Sequence, residues 1–131
     1  MTLTEQLMHS DVEAMNTLRT GTFHSKRLQR VLGADELVEI TIKEISPAKY
    51  NSIRDANKNN SDEFAVYNRI CLEGIVEPNL KDNELMKHFQ CSTPISLVEK
   101  LFSMEVVAIA NSIADLSDFA TEDKQVEEVK N

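Results

Sequence analysis

The sequence predicts an α+β fold: a mainly helical single domain of about five to six helices, with one antiparallel β-hairpin near the N-terminus. Three observations predict it. Helix-start signals recur along the chain, either a hydroxyl or acidic cap residue or a cap followed by proline. Between these starts apolar residues return every three or four positions, the spacing of a helix buried on one face. Only between residues 23 and 45 does the pattern change, to aliphatic and polar residues in alternation beside a short glycine-containing link, which is the signature of paired strands.

Thr2, Leu3, Thr4 and Glu5 fit a capping box, so a helix starts there. From it Leu3, Leu7, Met8, Val12, Met15 and Leu18 form an apolar stripe that ends at Gly21. The stripe is narrow and rich in methionine, whose flexible thioether adapts to irregular surfaces, so it suits either a core helix or an arm that grips a partner. Phe23 to Leu32 and Leu37 to Ile45 read as two strands around Gly33-Ala34-Asp35-Glu36. Val38, Ile40 and Ile42 share one face of the second strand, and Glu39, Thr41 and Lys43 share the other, so helices or another subunit must cover the apolar face.

Ser46-Pro47 starts a helix that runs to about Asn57, and Lys58-Asn59-Asn60 is a polar loop with Ser61 as the next cap. The helix from about Asp62 to Val76 carries Phe64, Tyr67, Cys71 and Ile75, with Val66 and Ile70 beside them, and this width marks it as the central helix. Pro78 ends it. Asp82-Asn83-Glu84 caps a short helix through Phe89, and Thr93-Pro94 opens a long apolar stretch to Leu116 that breaks near Ser103-Met104 into two helices. The segments are therefore 1–20, an amphipathic helix or arm; 21–119, the domain; and 120–131, an acidic tail expected to be disordered.

Charge and composition exclude several function classes. Fourteen Lys and Arg face 22 Asp and Glu, a formal charge of −8, which disfavours nucleic acid because phosphate backbones are repelled. The basic residues gather only at Lys26, Arg27 and Arg30. No run of about 18 apolar residues is present and Met1 to Ser10 lacks the features of a signal peptide, so no membrane partner is expected and the chain is expected in the cytoplasm. Two cysteines, Cys71 and Cys91, make neither a disulfide framework nor a four-ligand zinc site.

Catalytic signatures are missing: there is no glycine-rich phosphate loop, no nucleophile elbow and no histidine pair at metal-ligand spacing. Glu84 and His88 stand four apart on a helix, the spacing of an ordinary surface pair. No catalytic residue, cofactor or metal site is assigned, and a non-enzymatic protein-binding role is expected.

The segment Gly74-Ile75-Val76-Glu77-Pro78-Asn79-Leu80-Lys81-Asp82-Asn83-Glu84-Leu85 resembles the matching segment of phage tail assembly chaperones of the XkdN-like family, through Val76, Glu77, Pro78 and Leu80 above all. The segment Lys26-Arg27-Leu28, the junction Leu37 to Tyr50 and the closing helix Val106 to Ser117 agree in order, so the resemblance spans residues 23–119. The family tends to have glycine where this chain has Met104 and Asp118. The resemblance implies a protein of phage-infected or prophage-bearing bacteria that binds the tape measure protein, helps recruit the tail tube protein and is absent from the mature virion.

A chaperone of long apolar stripes must offer apolar contact surface with an acidic rim. The candidates are Leu3, Leu7, Met8, Val12, Met15 and Leu18 on the first helix, and Val38, Ile40 and Ile42 on the open side of the hairpin. An exposed hairpin also permits a homo-oligomer, and the competing reading is a structural tail or capsid component that forms rings through that hairpin.

Overall fold

The computed structural model describes residues 1–117. The acidic tail and Asp118 lie outside the described residues. The mainly helical α+β class holds: among the described residues, eight α-helices, most of them short, accompany one three-stranded antiparallel sheet in the order β1-β2-β3.

The strands are β1 (Thr20–Ser25), β2 (Val38–Lys43) and β3 (Ile75–Glu77). β1 pairs with β2 in a register that sets Phe23 opposite Ile40 and Gly21 opposite Ile42. Alternation then sends Ile40 and Ile42 to the inner face, where each is 1% exposed. The chain's own helices cover that face, so the expected open side of the hairpin is closed, and Ile40 and Ile42 are core residues rather than partner contacts. Val38, at the start of the strand, is half-buried.

The connection between β1 and β2 differs from the expected tight reversal. Residues 26–32 form a helix, α3 (Lys26–Leu32), capped by Ser25 through its hydroxyl to the Leu28 amide at 3.0 Å. Gly33 ends it at φ 65°, the left-handed conformation that glycine adopts without strain. The cause is tertiary. Ser25 is fully buried and its hydroxyl also donates to Glu105, which in turn accepts from the Arg27 amide at 3.3 Å. Arg27 donates from Nε to the Leu101 carbonyl (2.9 Å) and from its guanidinium terminus to the Lys100 carbonyl (3.2 Å). A cation on the last carbonyls of a helix satisfies orphan acceptors and opposes the helix dipole, so this arginine is a structural cap, not part of a basic patch.

Helices α4 (Pro47–Asn57), α6 (Asn83–His88) and α7 (Pro94–Phe102) start where the cap signals predict, on Ser46, Asp82 and Thr93. The expected central helix is α5 (Ala65–Gly74), which stops short because Ile75 turns extended and joins the sheet as β3. The last apolar stretch breaks as predicted, at a 3₁₀ turn over Ser103–Glu105, before α8 (Val106–Leu116). The positive φ of that turn falls on Ser103 (52°), while Met104 is exposed.

The core is built from Ile40, Ile42, Ile45, Ile70, Cys71, Leu97, Phe102, Ile109, Ile113 and their neighbours. α8 lies over β1 and β2 and packs on α5. The closest approach is at Gly74, where an added Cβ would lie 2.5 Å from Ile113 Cδ1. We expect Gly74→Ala to destabilise by about 1–3 kcal/mol through overpacking in urea unfolding, and Ile113→Val, which removes that methyl, to recover part of the loss. Equal stability of wild type and Gly74→Ala would contradict this packing.

Burial pushes the Cys71 thiol from 9.0 up to about 12, opposed by a backbone hydrogen bond from Ala110. Its contribution to stability is therefore fully present below pH 9 and is lost as pH rises through about 12. At pH 8 a thiol reagent should modify the half-buried Cys91 in the folded protein and reach Cys71 only after unfolding; simultaneous labelling of both would argue against the buried placement.

Candidate protein-binding surface

The first 18 residues form an arm. The capping box is present, with the Thr2 hydroxyl accepting from the Glu5 amide at 3.1 Å, but the helix it starts, α1 (Leu3–Met8), stops after six residues. Ser10 bonds back to the Leu7 carbonyl at 2.7 Å, and the Asp11 carboxylate accepts from the Glu13 amide at 3.0 Å to start α2 (Val12–Asn16). These side-chain hydrogen bonds offer the backbone an alternative to continuous helix. The single predicted stripe is thus divided between two helices.

No residue of this arm is buried. Met1, Leu3, Leu7, Met8, Val12, Met15 and Leu18 are between 43% and 80% exposed. Single exposed aliphatic side chains are ordinary on protein surfaces; seven within 18 residues, none entering the core, are characteristic of a contact surface.

Arg19 ties the arm to the domain. Its amide donates to the Glu44 carboxylate at 3.0 Å, its carbonyl accepts from the Glu44 amide at 2.8 Å, and its guanidinium donates to the Leu116 carbonyl at 3.3 Å. The last contact places a cation at the C-terminus of α8, the favourable end of the helix dipole.

Beside this tether lies a groove of about 630 Å³, bounded by Met15 to Leu18, by Ile45, Pro47, Tyr50 and Arg54, and by Ala114 and Ser117. The Tyr50 hydroxyl is buried and has no hydrogen-bond partner among the described residues. Burial raises its pKa, with the Arg54 charge acting in the opposite direction. Such a site accepts an apolar side chain accompanied by a hydrogen-bond acceptor.

Of the sequence-derived candidates, the structure brings Met15 and Leu18 to the groove and leaves Leu3, Leu7, Met8 and Val12 further out on the arm. Val76 and Glu77 are exposed on β3, whereas Leu80 is a core residue. The groove side formed by Tyr50 and Arg54 carries no local sequence signal. A second exposed apolar cluster, Val31, Leu32 and Leu37, sits at the α3 end of the domain. The spacing of Leu28, Val31 and Leu32 is helical and could have revealed α3.

Among the described residues no group of three or more His, Cys, Asp or Glu side chains could hold a metal ion, and no helix is long and apolar enough to cross a membrane. Deleting residues 1–16 should leave the stability of the domain within about 0.5 kcal/mol in urea unfolding, as expected for residues outside the core. A larger loss would mean that the arm packs as part of the domain.

Comparison with known proteins agrees with the architecture. The family model described as phage XkdN-like tail assembly chaperone protein matches residues 4–130. No curated protein matches. Among solved structures, the crystal structure of the protein YqbN superposes with a TM-score of 0.58 at 20% identity, covering 79% of this chain and 89% of that one, which shows a shared fold.

Proposed function

Since the chain belongs to the phage XkdN-like tail assembly chaperone family, we propose that it binds the tape measure protein and helps recruit tail tube subunits, using the N-terminal arm as its main contact surface. That family is one of assembly factors and not a class of enzymes. The observation that carries the assignment of the surface is the set of seven large apolar side chains held outside a complete core by the Arg19 tether.

Helices of six and five residues gain little from their own hydrogen bonds, since isolated helices need about 12–15 residues to be even marginally stable in water. A client's apolar face supplies the burial they lack, and the arm covers part of that face in return. The tape measure protein, implied by the family resemblance, fits as an extended helical client. The net charge of −8 keeps the complex soluble while apolar surface is being matched. Such work belongs in the host cytoplasm and ends before the particle is complete, so the protein is absent from the finished virion in this reading.

In a pull-down or calorimetric titration with a purified tape measure fragment from the same phage genome, Leu7→Asp and Met15→Asp should each weaken binding about tenfold or more, the loss expected from one buried aliphatic contact of about 1.5–3 kcal/mol. Thermal unfolding should be unchanged. Undiminished binding by the double variant would overturn the arm as contact surface.

A further inference from the structure

On the reading of the arm as the client surface, we propose that the groove at its base is a specificity pocket. It takes one large apolar side chain of the client together with a neighbouring carboxylate, which the Tyr50 hydroxyl and the Arg54 guanidinium hold.

The groove has room for one residue and its flanking chain. Its volume of about 630 Å³ lies in the range of about 300–1,000 Å³ found for pockets that hold small ligands. Met15, Leu18, Ile45, Pro47 and the Tyr50 ring give it apolar walls. Met15 and Leu18 belong to the arm, so a client that covers the arm reaches the groove without a break.

The polar side of the groove favours an anion. Tyr50 and Arg54 stand four apart on α4 and so share one face of that helix. The Tyr50 hydroxyl is buried without a partner among the described residues, whereas buried hydroxyls are normally hydrogen-bonded. Arg54 is exposed and has no ion-pair partner among the described residues. Ser46 and Pro47 bring the N-terminus of α4 to the same groove, and no acidic residue in its first turn neutralises the positive end of the helix dipole. The groove's acid, Glu44, accepts from the Arg19 amide at 3.0 Å. A backbone carbonyl would answer the Tyr50 hydroxyl alone; a carboxylate answers the hydroxyl, the guanidinium and the dipole together. A second copy of the chain is a poorer occupant, because each copy carries a charge of −8 and the two repel.

The experiment is a nuclear magnetic resonance titration of the full-length chain with N-acetyl-L-leucine, which joins an apolar side chain to a carboxylate, and with N-acetyl-L-leucinamide, which lacks the charge. The acid should give saturable shifts at Leu18, Ile45 and Tyr50 and none at Val31 and Leu32, and should bind about fivefold or more tightly than the amide, as expected of charge-assisted hydrogen bonds. Arg54→Gln should erase that preference, and Tyr50→Phe should weaken binding of the acid. No saturable shift, equal binding of acid and amide, or equal shifts at Val31 and Leu32 would each overturn the proposal. Groove resonances that move on dilution of the protein alone would overturn it in favour of a second copy.

With the tape measure fragment, Arg54→Gln and Tyr50→Phe should each weaken capture about fivefold, the same charge-assisted contribution. If Leu7→Asp weakens capture and the two groove variants do not, the arm stands as contact surface and the pocket is overturned. If only the groove variants weaken it, the pocket stands and the outer arm is overturned.

Discussion

The seating of α8 on the sheet depends on two places where a side chain is missing. At Gly74 the Ile113 side chain occupies the space that a Cβ would need, and at Gly21 an added Cβ would come within 2.9 Å of Leu116 Cδ2. One glycine lies on β1 and the other where α5 becomes β3, so together they bring α8 down on both edges of the sheet. Dense packing tolerates little adjustment at such contacts. With α8 at this distance, Ile109 and Ile113 are fully buried and the inner face carrying Ile40 and Ile42 is closed.

A closed core determines what remains outside. The arm's apolar residues stay outside this core, and the polar tether at Arg19 and Glu44 fixes where the arm leaves it. At the other end of the sheet, Ser25, Glu105 and Arg27 join α3 to the end of α7 through buried or half-buried polar contacts. Each of these tethers satisfies a strand end or helix end that would otherwise carry orphan backbone groups. None of the N-terminal 18 residues enters this core, and their apolar side chains remain exposed.

Features specified by neighbouring residues were legible in the sequence. Ser46-Pro47, Asp82 and Thr93-Pro94 are local caps, and the helices begin on them. The break at Ser103 falls where the sequence divides the apolar stretch into two sets, Leu97 to Phe102 and Val106 to Ile113. Features specified by distant residues were not. Ser25 turns the chain into α3 in concert with Glu105, eighty positions away, and β3 is three residues whose pairing with β2 carries no periodic signal. The arm is a middle case. Its apolar residues are legible in the sequence, but the continuous apolar spacing hides the second cap at Asp11. The groove joins the arm, the start of α4 and the end of α8, so only the fold brings its walls together.

In the proposed function, residues 1–18 stand outside the cooperative domain until a client covers them. Amide hydrogen exchange on the full chain, alone and with a tape measure fragment, measures this directly. In the free protein, residues 1–18 should exchange far faster than α5 and α8, and the client should slow them selectively. Protection of residues 1–18 in the free chain equal to that of α8, or exchange of the arm unaltered in a complex that demonstrably forms, would contradict it.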